Sequence, residues 1–360
     1  MRPRSGRDQH GADAAARLRR RIAVLAGFAC VTVGAASPAR AADAALYQAA
    51  KREGEVVWYT ALIVSQAVRP LIEAFNKKYP GIEVRFARAD SGPTAIKIIN
   101  EARAGKVQSD VFDGIDATPP LVQAGLVEPY IAAEAQKYPP ELKDPDGRWN
   151  ALVLYFLTGA INTSLVSGPD VPGAPQDLLQ PKWKGKIAWS TAAAAGAPVY
   201  VGAVLRQMGE ENGMAFLKAL SRQNVVNLDA TNRAILDQVI LGEYPIALNI
   251  FNHHAVLSAQ KGAPVKWLKL EPIAGLMHSI GLTRNAPHPN AGKLLIDFLT
   301  SEEGQRRLAE VEYLPAMPSV AAKTPEVKPE AGGFNAIMLS PDTVTQNRDR
   351  WMAITKALFN

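Results

Sequence analysis

The chain has little of what covalent catalysis uses. Its 360 residues contain one cysteine, Cys30, and five histidines, of which His253, His254, His278 and His288 lie beyond residue 41. No GxSxG, HExxH or phosphate-loop pattern occurs, which removes the common motif-borne hydrolases and nucleotide-binding enzymes that carry them. No repeat of 20–50 residues and no long low-complexity tract stands out. Ile22 to Val33 is an apolar run, but its 12 residues fall short of the roughly 20 that span a bilayer.

That run has a basic flank at Arg17, Arg19, Arg20 and Arg21, and small residues follow at Ala39 and Ala41. The three features together predict a secretory signal peptide over 1–41, cut after Ala41. Cys30 sits inside its apolar region, so export leaves no thiol for a disulfide or a nucleophile. Arg19-Arg20-Arg21 leaves Sec and twin-arginine export both open. The segment also carries the whole charge excess. The full chain is +6, with 40 Lys and Arg against 34 Asp and Glu, and residues 1–41 hold eight Arg against two Asp. The remainder is neutral, so the basic balance is no argument for nucleic acid or an anionic membrane.

What remains alternates in period. EVVWYTAL, from Glu55, is a continuous apolar run that suits a strand buried on both faces. Val68, Leu71, Ile72, Phe75 and Tyr79 then form one helical stripe, stopped by Pro80-Gly81. Strands are expected at Ile82–Phe86, from Ser109, and over Ala151–Leu157, Lys186–Trp189, Tyr244–Ile250, Val265–Leu270 and Leu276–Thr283. Helices are expected from Pro93, and over Gly196–Gln207, Gly213–Ser221, Asn232–Leu241, Pro289–Thr300, Glu302–Val311 and Ser340–Asn360. This order predicts an α/β protein of two lobes. The expected division is lobe 1 over 42–150, lobe 2 over 151–270, a return to lobe 1 over 271–320, and a C-terminal helical segment over 321–360 on lobe 2 or the hinge.

Ligands of open α/β sheets bind at the strand C-termini. Small and polar residues stand there: Thr60 and Ala61, Ser91 and Gly92, Asp116, and Ser190. Helix starts at Pro93 and near Gly196 offer free N–H groups to an anion or carbonyl. The apolar run Ile246–Ile250 ends in FNHH, residues 251–254. A metal site, a ligand rim and a helix entry capped by Asn252 are all readings of it. Neighbours on a strand face opposite sides, which argues against both imidazoles chelating one metal. Trp189 is read equally as core packing or as a ring stacked on ligand.

EVVWYTAL, FNKKYPGIEV, EARAGKVQSDVF, GLVEPY, DLLQPKWKGKIAWS, LGEYPIAL and HPNAGKLLIDFLTSEEGQ, in this order, resemble the periplasmic solute-binding proteins of ABC importers, in the cluster with ferric-ion-binding proteins. The resemblance implies a two-lobed type II periplasmic-binding-protein fold and a ligand clamped between hinged lobes. It implies a monomer in the periplasm, an inner-membrane ABC permease as partner, and no enzyme activity, resident cofactor or nucleic acid. Ferric-binding relatives hold iron with adjacent tyrosines, a histidine and a glutamate beside a helix-bound anion. Laid on this chain, the tyrosine pair falls on Asn252 and His253. The histidine falls near Ile63, the glutamate falls on Ile115 beside Asp116, and an anion-binding arginine falls near Tyr155 or Leu157. Gly196 and Asn232 match in kind at the anion seat. The resemblance implies iron(III) or an iron complex as cargo, but hard ferric ion prefers anionic oxygen donors and the tyrosine pair is missing, so a small organic solute (a carboxylate, phosphonate, sugar phosphate or amine) is the alternative. Which metal, if any, is held stays open.

Overall fold

Runs that are apolar on both faces become sheet, and runs with one apolar stripe become helix. The computed structural model describes residues 38–359 apart from 192–194, with side chains from Ala44 onward. The expected signal segment lies outside the described residues, save for the backbone of its last four. The chain runs α1 (Pro38–Glu53), β1 (Glu55–Thr60), α2 (Arg69–Lys78), β2 (Glu83–Arg88), α3 (Ser91–Arg103), β3 (Val111–Gly114), α4 (Thr118–Gln123), β4 (Val127–Glu128) and β5 (Asn150–Asn162). It continues with β6 (Ile187–Ser190), α5 (Ala197–Met208), α6 (Glu210–Ser221), β7 (Val226–Leu228), α7 (Asn232–Leu241), β8 (Ile246–Phe251), α8 (Asn252–Gln260) and β9 (Val265–Leu268). The last elements are β10 (Ile273–Thr283), α9 (Pro289–Thr300), α10 (Glu302–Glu310), β11 (Leu314–Pro315), α11 (Pro329–Gly332), β12 (Ala336–Leu339) and α12 (Pro341–Phe359).

The strands form one mixed sheet with the path β2-β1-β3-β10-β5-β8-β6-β7. β1 shows why its sequence reads as doubly buried. Val56 and Trp58 enter one core with Leu71 and Phe75 of α2, while Tyr59 enters another with Ile98 of α3. Helices cover both faces of such parallel strands, so polar alternation is lost.

β5 and β10 organise the molecule. At 13 and 11 residues they are about twice the usual strand length, and nearly every residue is buried. They run antiparallel, with a register shift between His278 and Ser279. Each changes neighbours along its length. β10 pairs with β12 through Ile273–Leu276, then with β3 and β4 through Ser279–Thr283. β5 pairs with β11 at Val153 and Leu154, then with β8 and β9 from Leu157 onward. Tyr155 and His278 stand where the exchange occurs. Each of the two long strands thus has different partners at its two ends.

α12 packs on α5, where the Trp351 ring lies over Gly202. A Cβ at residue 202 would come within 2.5 Å of that ring, so the absent side chain is what lets the helices approach. The N-terminal half of α12 also reaches α4. Arg148, just before β5, forks onto the buried Asp144 and meets Asp342 in the first turn of α12 at 3.2 Å.

Candidate ligand-binding site

The C-terminal ends of β1 and β3 meet at one carboxylate. Asp113, fully buried in β3, accepts from Trp58 Nε1 at 2.7 Å, from the Ala61 backbone N–H at 2.8 Å and from His278 Nε2 at 2.6 Å. Three donors satisfy a charge that burial would otherwise make costly. Thr60 is buried, and its Oγ1 accepts from Leu62 N at 3.1 Å. Thr60 and Ala61 are therefore tied into a turn whose next residue, Ile63, donates its N–H to the Tyr313 hydroxyl. On the neighbouring helix start, Ser91 Oγ accepts from Ile115 N at 3.2 Å. Gly114 has φ +155, and a Cβ there would fall 2.5 Å from Ser91 Oγ, so only glycine lets the β3 end pass the head of α3. Gly92 has open space where its side chain would stand. With Asp116 it lines a pocket of about 360 Å³.

At the junction of the two long strands lies a cluster of rings. Tyr155 stacks on His253 at 5.7 Å between centroids and 30° between planes. Its edge meets Phe251 at 5.3 Å and His278 at 6.2 Å. His254 lies 4.3 Å from His253 and 5.4 Å from Phe251. Burial pushes His254 down to about 4, helped by the Arg233 charge, and holds His253 well below its ordinary range, helped by His254. Burial pushes the Tyr155 phenol well up, aided by Tyr313 and the Asp113 carboxylate. Tyr313 is raised by burial first and by Asp113 in addition. At neutral pH the imidazoles of His253 and His254 and both phenols are thus uncharged. The Nδ1 atoms of His253 and His254 are buried without a hydrogen-bond partner.

The two histidines differ from the strand-based expectation. Phe251 is the cap residue and Asn252 opens α8, one position from the expected cap. Both histidines therefore sit in a helical turn, where neighbours are about 100° apart rather than opposed. Their rings come side by side. Asn252 is fully buried; its Oδ1 accepts from His253 N at 2.7 Å and its Nδ2 donates to Val327 O at 2.8 Å. Among the described residues, no group of three or more His, Cys, Asp or Glu is placed to hold a metal.

Before α5, Asn232 Nδ2 donates to Ala195 O at 2.9 Å and to Asn249 O. Asn249, at φ +60 within β8, donates to Ala195 O and Gly196 O at 2.6 and 2.7 Å. These two carboxamides fix the backbone entering α5, of which Gly196 is the cap residue. Ser190 is buried and its Oγ donates to Ala230 O at 2.7 Å. Trp189 is fully buried, donates to Asn227 Oδ1 at 2.6 Å and meets Tyr200 and Phe359 edge-on. It is a core residue and presents no face to a ligand.

The expected residues thus fall into groups. Ser91, Gly92 and Asp116 gather around the head of α3, with Thr60 and Ala61 behind the Asp113 hub. Tyr155, Asn252 and His253 gather at the strand junction, and Ser190, Gly196 and Asn232 around the start of α5. Asp113, His278, Tyr313 and Arg348 were not among them. Asp113 alone had a legible signal, as a charged residue inside the short apolar strand VFDG.

Residues 108–335 match the family model described as bacterial extracellular solute-binding protein. A putative 2-aminoethylphosphonate-binding periplasmic protein of Salmonella typhimurium is 26% identical over 259 residues, covering 70% of this chain and 74% of its own length. An Fe(3+)-binding periplasmic protein of Serratia marcescens is 25% identical over 275 residues, covering 72% and 78%. A Trichodesmium protein (IdiA, FutA) solved with iron and citrate ligands superposes with a TM-score of 0.71 at 19% identity, over 85% of this chain and 99% of that one. These relatives are binding proteins, and the curated ones are periplasmic. The chain belongs to the bacterial extracellular solute-binding proteins, with the two-lobed α/β fold of periplasmic binding proteins.

Proposed function

We propose that this protein is the periplasmic substrate-binding component of an ABC importer and that its cargo is a small organic solute of the phosphonate class. It works as a monomer without enzymatic activity, is exported by the signal peptide over 1–41, and hands its cargo to an inner-membrane permease. Lobe 1 is built from 42–150 and 271–320 and lobe 2 from 151–270, with 321–360 packed on lobe 2 or the hinge. The family and the putative aminoethylphosphonate-binding relative support this reading.

The observation that carries it is the neutral ring cluster of Tyr155, Phe251, His253 and His254. Ferric ion needs anionic oxygen donors, and the resemblance lays the ferric-binding proteins' tyrosine pair on Asn252 and His253, neither of which supplies a phenolate. Here both histidines are held neutral and Asp113 already accepts three hydrogen bonds. Ferric ion, which the name of the Serratia relative carries, would have to be held here through organic ligands of its own.

Titration calorimetry on the protein from residue 42 onward tests the reading. 2-Aminoethylphosphonate should bind at one site per chain, and small-angle scattering should show compaction on saturation, as hinge closure requires. Tight one-to-one binding of ferric ion with no heat from the phosphonate would overturn it.

A further inference from the structure

The pocket beside Gly92 and Asp116 has an unusual construction. From α3 it is lined by Gly92, Ala95, Ile96 and Ile99, and from α12 by Pro341, Val344, Thr345 and Arg348. Both sets have the spacing i, i+3, i+4, i+7, so each is one stripe of a helix. Facing stripes of this kind ordinarily interdigitate. These instead border about 360 Å³ of space, within the range of small-molecule sites, and Ile96 is 61% exposed. The floor is Leu276 of β10 and Leu339 at the end of β12. They face one another across the register where β10 changes neighbours. The pocket therefore joins the head of α3 to a helix anchored on α5.

Its charged lining is one residue of each sign, Asp116 and Arg348. Both are partly buried. Among the described residues neither forms a hydrogen bond or an ion pair, whereas Arg350 on the same helix as Arg348 pairs with Glu210. Charged groups drawn away from water gain from a partner of opposite sign, and here the protein supplies none. An unmatched acid and an unmatched base on apolar walls are complementary to a molecule that carries both charges on a short apolar linker.

We propose that this pocket reads the two ends of a zwitterionic solute, an ammonium at Asp116 and a phosphonate at Arg348, with the linker between α3 and α12. This rests on the organic-solute reading above and adds the residues that select the solute's charge pattern. Because the pocket spans α3 and α12, an occupant of this kind holds the two sides together.

The test is calorimetry with 2-aminoethylphosphonate and with ethylphosphonate, which lacks the amine, on the wild type, Asp116→Asn and Arg348→Gln. Asp116→Asn should weaken 2-aminoethylphosphonate by about tenfold or more, the usual scale for a lost charged hydrogen bond, and leave ethylphosphonate unchanged. Arg348→Gln should weaken both by a similar factor. Neither should alter the melting temperature of the ligand-free protein, since neither side chain holds a partner in the fold. If both variants bind 2-aminoethylphosphonate as tightly as the wild type, the pocket assignment is overturned while the solute reading stands. If the wild type binds neither probe, the solute reading fails and the pocket assignment fails with it.

Discussion

Replacing Asp113 with alanine should cost about 3–5 kcal/mol of stability and lower the melting temperature by roughly 10 °C. Asp113 is fully buried and accepts from Trp58 Nε1, Ala61 N and His278 Nε2. Alanine leaves all three donors without a partner. Trp58 is fully buried and His278 is 3% exposed, so water cannot take over the acceptor role for either. A buried donor left unsatisfied costs about 1–3 kcal/mol, and three of them account for the expected loss. Asp113→Asn should be milder, because a carboxamide oxygen still accepts from two of the three. Ligand affinity should fall with Asp113→Ala, since the Ala61 turn loses its anchor. Thermal and denaturant melts check the stability effect; a change below about 1 kcal/mol for the alanine variant would mean that the three hydrogen bonds do not hold the lobe together.

Acidification should destabilise the protein through His253 and His254. His254 titrates at about 4 in the fold against an ordinary 6.5, and His253 is depressed in the same direction. Between those pH values the unfolded chain binds a proton at each site and the folded chain does not. The stability contributed by keeping them neutral is complete above pH 6.5 and is lost as pH falls toward 4. For His254 the shift corresponds to about 3 kcal/mol, with the depressed His253 adding to it. Asp110, whose carboxyl is raised by burial, works in the opposite sense, and Asp144, lowered through its bonds to Arg148, works at still lower pH. Neither changes in the double variant His253→Phe, His254→Phe, so the comparison isolates the histidines. Denaturant unfolding from pH 7 to 4.5 should show a steep loss in the wild type and a much flatter one in the double variant. Equal slopes would mean that the two imidazoles gain their protons as readily in the fold as in the unfolded chain, against the depressed values expected here.

Much of the architecture was legible because local chemistry and tertiary packing agree. α7 occupies Asn232–Leu241 as expected, since Thr231 Oγ1 caps Ala234 N at 3.2 Å and Gly242 takes the left-handed turn that ends it. α9 occupies Pro289–Thr300, with proline in its first turn and Ser301 beyond its end. The strands β4, β7 and β11 went unread because two or three residues carry no measurable period, and β12 fell inside the segment 321–360 that was expected to be helical. β10 begins three residues before the expected Leu276, at Ile273, where β12 comes alongside.

The candidate site was less legible, for a topological reason. Asp113 and His278 are 165 residues apart and meet because β10 returns antiparallel to β3, setting Ile280 opposite Asp113. Nothing local to LMHSI signals that partner. The histidine pair illustrates a one-residue effect. Treated as a strand end, His253 and His254 diverge; placed in the first turn of α8 they adjoin. Arg348 was read only as part of a C-terminal helix, and its place in the pocket depends on where Trp351 seats that helix against Gly202.

Native mass spectrometry with elemental analysis, on protein purified without chelators from a phosphonate-containing medium, bears most directly on the cargo. The neutral ring cluster and the Asp116–Arg348 pocket predict a co-purifying organic mass at one per chain, no stoichiometric metal, and loss of that mass in Arg348→Gln. One iron per chain, retained when His253 and His254 are both replaced and with no organic mass attached, would contradict them.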